Sequence, residues 1–512
     1  MFIKIFFKTL SLVLLSTTLT ITLAFAAPKH NVLFIAVDDL KPTLEPYGDT
    51  VPTPAIKRLA ARGTTFLNAH CQQAVCAPSR ASIMTGKYPD FTKVWDLKTK
   101  IRDMNPEILT LGQHFKANGY SVIGMGKIFD SRSVDSGGDR LSWSEPHVRS
   151  WQAPHNRAVG PQNGHYLGAD IKALTAQANA EAGKELAWGP LNKWLFKNGG
   201  WPAVECADVP DDAYHDGAVA KLASQTIARL AKKEEPFFLA VGFKRPHLPF
   251  TAPKKYWDLF DRDTIELAPY QQPADGSPKY TLHGSEELRT YNGVPQSGPL
   301  DPDTQRKLIH GYYACVAYID ALIGQLLNQL EAQGLTENTT VVLWGDHGWH
   351  LGDHGIWCKH TNYEQATRVP LIIAAPRGFG IKTSMPAELT DVFPTLCELS
   401  GIPIPDHLDG INLAPNIRGA KSRPRAFAMS QYPRGPLMGY ALRNERFRCV
   451  VWFKTGGKGA QIGDPIDAIE LYDYDNDPLE TRNIAKDPAY QKTTEALSKQ
   501  VLQFIARINS KA

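Results

Sequence analysis

Two marks of nucleic-acid-binding proteins are missing from this chain of 512 residues: runs of basic residues and C-x2-C pairs. The formal net charge is only +4, and Lys4 and Lys8 carry two of those charges within the N-terminal segment. Basic patches and zinc-binding cysteine pairs are the usual sequence signs of nucleic-acid recognition. The sequence therefore predicts a protein without a nucleic-acid partner.

Long apolar runs are also missing after the first 26 residues. Lys4 and Lys8 precede an apolar stretch that ends near Leu23, and residues 24–26 (A-F-A) have the small-x-small pattern of a signal-peptidase site. A membrane anchor is the alternative, but the stretch is rich in threonine and shorter than the ~20 apolar residues of a span. We predict a signal peptide at 1–26 and an exported protein, periplasmic or secreted, without stable membrane insertion.

The chain has seven cysteines, an odd number, so they cannot all be paired in disulfides. At least one thiol must therefore remain free, and Cys76 is the natural candidate because of the motif around it. A chain of this length can bury a large core and does not depend on disulfides for stability.

Apolar strand-like runs alternate with helix-like segments through most of the chain. Asn31–Val37 is a run of mostly buried-type residues, 237–243 and 340–345 are similar, and a long amphipathic stretch at 303–333 separates the last two. This alternation predicts an α/β fold in which helices cover both faces of a large, mostly parallel sheet.

The pattern changes after about residue 424, where short strand-like runs separated by turns lead to a helical segment at 493–508. We interpret 27–424 as a catalytic domain and 425–512 as a smaller subdomain with an antiparallel sheet and a closing helix. Residues 131–207 show weak periodicity, and we interpret them as an insertion near the site that has no core of its own.

Polar residues follow the predicted strands at their carboxyl ends, the edge where such sheets carry functional groups. These residues are Asp38, Asp39, Lys127, His247, Asp346 and His347. Carboxylate oxygens suit a hard divalent cation, and Ca2+ accepts six or more ligands with flexible geometry. Asp38-Asp39 alone is more often a cap and turn, and Asp346-His347 alone is more often part of a loop, but together the two pairs predict a metal site.

The most informative motif is the run at 76–80, C-A-P-S-R, which is followed after four residues by Thr85 and Gly86. It matches the C-x-P-S-R-x4-T-G signature of cysteines that are oxidised to formylglycine. The hydrated aldehyde carries two hydroxyls on one carbon, one to attack sulfur and one to expel the sulfate afterwards. Arg80 lies one helical turn after Cys76, so both side chains are predicted to face one pocket. A buried structural thiol is the alternative for Cys76.

With these motifs the chain resembles the type I sulfatases of the alkaline phosphatase superfamily, and among them the iduronate-2-sulfatase group and bacterial polysaccharide sulfatases. The resemblance covers nearly the whole chain after the predicted signal peptide. It runs through residues 31–49, 72–86, 237–250, 346–359 and 470–478. It implies an alkaline phosphatase-like fold and hydrolysis of sulfate esters on an anionic glycan.

The resemblance also implies roles for individual residues. Ca2+ would be held by Asp38, Asp39, Asp346, His347 and the formylglycine made from Cys76. Arg80 would steady the formylglycine hydrate, and Lys127, His247 and Lys359 would contact the sulfate. His247 would also give a proton to the leaving sugar oxygen. The implied partners are a sulfated carbohydrate and the formylglycine-generating enzyme.

One position departs from the family pattern. Sulfatases usually have a histidine two or three residues after the Gly-Lys pair, where this chain has Ile128, Phe129 and Asp130. Asp130 takes part of that role, or His70 does, or the second step is organised differently.

The substrate is less well defined by the sequence. Lys41, just beyond the two aspartates, could meet a sugar carboxylate, and Trp349, His350 and Trp357 could stack on a sugar ring. Ulvan, carrageenan and glycosaminoglycans are all consistent with the resemblance. The competing functions are a phosphonate or phosphodiester hydrolase of the same superfamily and an inactive, glycan-binding homologue.

Overall fold

The computed structural model of the protein describes residues 30–154 and 166–510, so the predicted signal peptide lies outside the described residues. In chain order the strands are β1 (Asn31–Val37), β2 (Thr64–His70), β3 (Ser121–Gly126), β4 (Val204–Ala207), β5 (Phe237–Phe243), β6 (Phe250–Pro253), β7 (Thr339–Gly345), β8 (His350–Leu351), β9 (Trp357–Cys358), β10 (Arg368–Val369), β11 (Leu371–Ala374), β12 (Ile381–Glu388), β13 (Ala428–Arg434), β14 (Leu437–Arg443), β15 (Phe447–Lys454) and β16 (Ile466–Asp473).

The α-helices are α1 (Pro54–Ala60), α2 (Cys76–Thr85), α3 (Pro89–Thr92), α4 (Ile101–Met104), α5 (Leu111–Ala117), α6 (Ala169–Ala182), α7 (Trp188–Lys197), α8 (His215–Leu230), α9 (Lys254–Trp257), α10 (Glu286–Arg289), α11 (Pro302–Ala332), α12 (Glu364–Thr367), α13 (Val392–Leu399), α14 (Ala414–Ile417) and α15 (Gln491–Asn509). Within 30–154 and 166–510, no helix is long and apolar enough to cross a membrane.

The larger sheet has the strand order β10-β2-β11-β7-β1-β5-β3, and β12 also pairs with β2. Strand β1 runs parallel to both of its neighbours, with Val32 opposite Phe238 of β5 and Thr340 of β7. Strands β10 and β11 run antiparallel to β2, and β11 also to β7. The predicted mostly parallel sheet is confirmed, with these two strands as the exceptions.

Helices cover both faces of this sheet, as the alternation along β1 shows. Leu33 and Ile35 belong to a core cluster that includes apolar residues of α8 and α11. Phe34 and Ala36 point to the other face, into a cluster with residues of α2, α5 and α13. Residues 32–37 of β1 are all apolar and buried, as expected for a strand that is covered on both faces.

Local sequence signals explain where several helices begin. Asp301 accepts hydrogen bonds from the backbone N–H groups of Asp303 and Thr304, and Pro302 occupies the first turn of α11. Thr110 and Gln113 form a reciprocal capping box at the start of α5. The long helix predicted at 303–333 is therefore observed as α11.

A second, antiparallel sheet has the order β13-β14-β15-β16. Helix α15 packs on it through Val501, Phe504 and Ile505, which share a core cluster with Val451 and Phe453. The predicted C-terminal antiparallel sheet with a closing helix is confirmed.

The segment before β4 differs from its prediction. Helices α6 and α7 pack on each other around a small cluster of their own that includes Ile171, Leu191 and Leu195. The expectation that residues 131–207 have no core is wrong, because leucines spaced four residues apart give α7 an apolar stripe.

Candidate active site and metal centre

Three strands of the larger sheet end at one cavity of about 490 Å³. Strand β1 leads to Asp38, β3 to Lys127, and β5 to Lys244 and His247, all of which line the cavity together with Cys76. The predicted convergence of strand ends is therefore seen in the structure.

The end of β3 can approach β5 closely because glycines lie at the crossing. Gly126 has a φ of 76°, and a Cβ atom there would lie 1.9 Å from the carbonyl oxygen of Gly242. A residue with a side chain would force the two strands apart at this point. Lys127, the next residue, is thereby held at the end of β5, where its backbone N–H donates to the carbonyl oxygen of Gly242 at 2.9 Å.

Directly beneath Asp38 and Cys76, which line the cavity, lies a cluster of buried acidic and imidazole groups, which we call the floor. Asp39, Cys76, Asp346 and His347 offer atoms that all lie within 4.8 Å of one another, and Asp38 belongs to an overlapping group. The side chains of Asp38, Asp39 and Asp346 are at most 1% exposed. Carboxylates packed this closely repel one another unless positive charge lies between them.

Backbone geometry fixes the orientation of Asp39. Its φ of 59° lies in the left-handed region, which aspartate tolerates better than most residues. Its N–H donates to Oδ1 of Asp346 at 2.9 Å, and its carbonyl accepts from the hydroxyl of Tyr312 on α11 at 2.7 Å. Asp39 is therefore held in place by Asp346, which follows β7, and by Tyr312 of α11.

The tautomer of His347 follows from its contacts. Nδ1 lies 3.0 Å from the carbonyl oxygen of Gly348, which can only accept, so Nδ1 carries the proton. Nε2 then presents its lone pair to the cluster, 3.4 Å from Sγ of Cys76 and 3.3 Å from Oδ1 of Asp39. Burial lowers the pKa of His347, which favours this neutral ring.

The donor set fits a hard divalent cation. Burial, reinforced by the carboxylates of Asp38, Glu287 and Asp346, raises the pKa of Asp39 well above its usual range despite the opposing charge of Lys359. This like-charge crowding is what a bound cation relieves. Carboxylate oxygens with one imidazole nitrogen suit a hard divalent cation better than they suit Zn2+, whose sites are usually rich in thiolate and histidine.

Cys76 is the first residue of α2 and is only 1% exposed. Burial, together with the negative charge of Asp38, raises the pKa of its thiol well above the usual range, so the unmodified side chain is a protonated thiol. A thiol of this kind is a poor nucleophile. The seven cysteines, all within the described residues, are free thiols.

Arg80 lies beneath the floor and is not among the residues that line the cavity. Its Nε donates to Oδ2 of Asp346 and its Nη2 to Oδ1 of Asp38, both at 2.9 Å. Its Nη1 donates to the carbonyl oxygens of Lys127 and Ile128. The expectation that Arg80 faces the same pocket as Cys76 is therefore wrong: the next helical turn points it into the packed interior, where it holds two of the carboxylates.

Two lysines bring positive charge to the cavity. Nζ of Lys127 lies 2.6 Å from Oδ2 of Asp38, and Nζ of Lys359 lies 3.0 Å from Oδ2 of Asp39. Burial alone would lower the pKa of each ammonium, but Asp38 raises that of Lys127, and Asp39 with Glu287 raises that of Lys359. Both lysines are therefore cations inside the cavity.

Glu287 of α10 is a cavity residue that the sequence did not reveal. Its carboxylate lies 3.2 Å from Nε2 of His247 and 3.0 Å from Nζ of Lys359. Burial would raise its pKa, but Lys359 and His247 hold it well below the usual range. Glu287 lies in a region without motif or clear periodicity, so only the fold brings it to His247.

His247 has one nitrogen occupied and one directed to the cavity. Nδ1 lies 2.7 Å from the carbonyl oxygen of Leu248 and therefore donates to it. Burial and the charge of Lys359 lower the pKa of His247 to about 3 in the free protein, although Glu287 opposes the shift. Nε2 faces Glu287 and Asp39, at 3.2 and 3.9 Å.

Asp130 lines the cavity, whereas His70 does not. Although burial opposes it, paired hydrogen bonds from Arg132 and the charge of Lys127 lower the pKa of Asp130 to about 2. His70 lies buried on β2, where its ring bonds to Asn68 and Thr367. Asp130 is therefore a fixed anion beside Lys127. Two further histidines, His147 and His360, line the cavity without any signal in the sequence.

The predicted sugar contacts are the least successful part of the sequence analysis. Trp349, His350 and Trp357 are at most 3% exposed, so they cannot stack on a sugar; Trp349 instead lies under Nζ of Lys359, 4.8 Å from its ring centroid. Lys41 is not among the cavity residues and lies 3.7 Å from Asp353, which gives its predicted role no support.

Comparisons with known proteins agree with this geometry. The family model described as Sulfatase matches residues 30–402, and that described as N-sulphoglucosamine sulphohydrolase, C-terminal, matches residues 352–507. Iduronate 2-sulfatase of Mus musculus is 32% identical over 531 residues, which cover 89% of this chain and 91% of that protein.

Solved structures share the fold. The phosphonate monoester hydrolase of Agrobacterium radiobacter superposes with a TM-score of 0.70 at 22% identity, covering 94% of this chain and 96% of that one. A 2-O GAG sulfatase superposes with a TM-score of 0.63 at 23% identity, covering 94% and 93%. At these identities the likeness concerns the fold alone.

Proposed function

The chain belongs to the sulfatase family, and from this premise we propose that it hydrolyses sulfate esters of an anionic glycan with a formylglycine made from Cys76 and a bound Ca2+. The observation that carries the proposal is the position of Cys76. The cysteine of the modification signature lies in a cavity beside three buried carboxylates, one imidazole and two cationic lysines.

Formylglycine would supply a hydroxyl nucleophile that the buried, protonated thiol of Cys76 does not, and Ca2+ would supply positive charge next to it. We assign Ca2+ to Asp38, Asp39, Asp346, His347 and the modified residue at 76. Arg80 keeps two of these ligands together, because its guanidinium binds both Asp38 and Asp346.

We assign Lys127 and Lys359 the binding of the nonbridging oxygens of the sulfate. Both ammonium groups line the cavity that contains Cys76, and both are already oriented by carboxylates. Cations fixed before the reaction stabilise negative charge without a reorganisation cost. Asp130 belongs to this arrangement as an anion that orients Lys127, because a pKa of about 2 makes it a poor proton acceptor at neutral pH.

We assign His247 the role of giving a proton to the leaving sugar oxygen from Nε2. The free protein holds the ring neutral, and the negative charge of a bound sulfate ester favours its protonated form. Glu287, 3.2 Å away, stabilises the same protonated ring and keeps it turned toward the cavity. A sugar alkoxide is a poor leaving group, so this proton is needed in the transition state.

The substrate class is inferred from charge and from the relatives. The cavity is lined by six Lys and Arg side chains, namely Lys127, Arg132, Arg149, Lys244, Arg245 and Lys359, against the three acids Asp38, Asp130 and Glu287. Excess positive charge favours a polyanionic substrate. The mouse relative is named for a sulfated uronic acid, and a structural neighbour for a sulfated glycosaminoglycan, which supports the same class.

Export and activation complete the proposal. We place a signal peptide at 1–26, a catalytic domain at 27–424 and a C-terminal subdomain at 425–512, and we expect the formylglycine-generating enzyme to act on Cys76 before or during export. N-terminal sequencing of the exported protein should then begin at Ala27.

The test is a panel of sulfated oligosaccharides from glycosaminoglycans, ulvan and carrageenan, with released sulfate as the readout. Aryl sulfate, aryl phosphate and phenylphosphonate esters are assayed beside it. We expect sulfate release from at least one acidic oligosaccharide and faster turnover of the aryl sulfate than of the phosphorus esters. Turnover of phosphonate or phosphate esters without sulfate release would assign the site to the competing hydrolase function.

A further inference from the structure

Three cavity residues form an arrangement that the proposed reaction does not use. Trp151 is 48% exposed, and two cations lie over its indole ring: Cζ of Arg149 at 5.2 Å and Nζ of Lys244 at 5.5 Å from the ring centroid. Both distances fall within the range of a cation–π contact. All three side chains line the same cavity as Cys76.

We propose that Lys244 and Arg149, held on Trp151, bind a second acidic group of the glycan, a carboxylate or a sulfate other than the one that is cleaved. The proposal rests on the proposed function, because it assigns specificity to the same cavity. We call these three residues the rim site.

The rim cations differ in their partners from three of the other four cavity cations; the fourth, Arg245, is buried and donates to Thr251 and to the carbonyl oxygen of His247. Lys127, Lys359 and Arg132 each pair with an Asp or Glu side chain. Over the described ranges, neither Lys244 nor Arg149 pairs with a side-chain carboxylate, and the rest of the chain contains no Asp or Glu. No carboxylate of the described residues therefore forms an ion pair with the rim site, although the buried carboxylate of Asp216 acts on Lys244 through space.

Both cations are nevertheless held in place. The guanidinium of Arg149 donates to the carbonyl oxygen of Ser136, and its backbone N–H donates to Oε1 of Gln152. The backbone N–H of Lys244 donates to the buried carboxylate of Asp216 at 2.9 Å. An aromatic ring orients a cation without neutralising it, so the pair remains available to an anion.

The surroundings of Lys244 favour an anionic partner. Burial lowers the pKa of this amine to about 8, with Arg245 and Lys127 acting in the same direction, and the opposing charge of Asp216 does not offset the shift. A carboxylate or sulfate that enters beside it replaces lost hydration with a charge-assisted hydrogen bond. A substrate whose only acidic group is the sulfate that is cleaved would leave the rim site unused.

The experiment measures binding in a Cys76→Ala background, where cleavage does not interfere. The probes are a 2-O-sulfated uronate disaccharide, its carboxylate methyl ester, and a carrageenan disaccharide with two sulfates and no carboxylate. Calorimetric Kd values are compared for the parent and for Lys244→Met/Arg149→Gln. Lys184→Met, which removes an exposed lysine away from the cavity, is the matched control.

We expect the double variant to weaken binding of an acidic probe about 10- to 100-fold, because it loses charged hydrogen bonds. The control should bind like the parent. If the double variant loses affinity only for the uronate probe, and the parent binds the methyl ester of that probe weakly, the second group is a carboxylate. If the double variant loses affinity only for the carrageenan probe, the second group is a sulfate.

The proposal is overturned if the double variant binds every probe as tightly as the parent, if it loses the same factor for the methyl ester as for the acid, or if the parent binds no acidic probe. Turnover of 4-nitrophenyl sulfate by the wild-type protein distinguishes failure of the rim site from failure of the proposed function. If that ester is cleaved while these Kd values do not respond, only the rim site fails. If it is not cleaved while they do respond, the proposed function fails and the rim site stands.

Discussion

The floor and the rim of one cavity are built in opposite ways. At the floor, Asp38, Asp39 and Asp346 are at most 1% exposed, and the side chains of Asp38 and Asp346 are bound by the same guanidinium, that of Arg80. At the rim, Trp151 is 48% exposed and its two cations have no acidic partner within the described ranges. Strand ends position the floor, whereas the segments that follow β3 and β5 supply the rim.

The difference separates chemistry from selectivity. Groups that must be placed to within a fraction of an ångström lie where parallel strands end and cannot move without disturbing the sheet. Of the groups that we propose to choose between glycans, Lys244 directly follows β5, whereas Arg149 and Trp151 lie in the connection after β3, where residues can change without cost to the fold. The predictions below test this division, beginning with the largest expected effect.

Removal of the nucleophile's site should abolish activity. Cys76→Ala is expected to reduce kcat on any sulfate ester by several orders of magnitude, because a covalent nucleophile has no substitute in the cavity. The measurement is steady-state sulfate release, with Cys397→Ala, a buried thiol on α13, as the matched control. An active Cys76→Ala protein would show that the floor does not perform the reaction.

His247 should matter more for a sugar than for an aryl leaving group. General-acid help is typically ~10²- to 10⁴-fold, and an aryl oxide departs readily without it. His247→Ala is therefore expected to reduce kcat on a sugar sulfate far more than on 4-nitrophenyl sulfate. Equal losses on the two substrates would assign His247 to sulfate binding alone.

Much of the floor could be predicted from the sequence, because short motifs at strand ends carry it. Asp38, Asp39, Lys127, Asp346 and His347 each follow an apolar run directly, so parallel pairing is sufficient to bring them together. The prediction for Arg80 was wrong because one-turn spacing on a helix does not show whether a long side chain points into the open cavity or into the packed interior. Here the two carboxylates beneath the floor decide its direction.

The rim and Glu287 could not be predicted, and the reason is physical. Glu287 and Trp151 lie in short helices and loops whose place depends on distant packing rather than on periodicity. Exposure also misled the prediction for the tryptophans: Trp349 and Trp357 lie beside a strong motif but are buried, whereas Trp151 has no motif and is half exposed. A sequence pattern does not distinguish an aromatic core residue from a surface one.

Two arginine substitutions compare the buried ion pairs of Arg80 at the floor with the half-exposed ion pair between Arg132 and Asp130, higher in the cavity. Arg80→Met would leave two buried carboxylates without their cation, and breaking such a pair typically costs ~3–5 kcal/mol of unfolding free energy. Arg132→Met removes a pair whose arginine is 53% exposed, and we expect a loss of at most ~1 kcal/mol. Urea unfolding of the two variants decides the comparison. Similar losses would contradict the division between floor and rim.

The smallest expected effect concerns the pH dependence of Asp130. Its folded-state pKa of about 2 lies below the ordinary value, so its contribution to stability is full above about pH 4 and is lost as the pH falls toward 2. Asp130→Asn should therefore be less stable than wild type at neutral pH, by less than about 1 kcal/mol because its partner Arg132 is half exposed to solvent, and the gap should close in acid. Urea unfolding at several pH values measures the gap; a constant gap would mean that Asp130 is not held by Arg132 and Lys127.

The most direct test of the account is the mass of the tryptic peptide that contains residue 76, taken from protein produced with a formylglycine-generating enzyme. We expect the mass of an aldehyde at that position, in a fraction of the molecules that rises in proportion to kcat on an acidic sulfated disaccharide. Full activity in preparations whose peptide carries only unmodified cysteine would contradict the account.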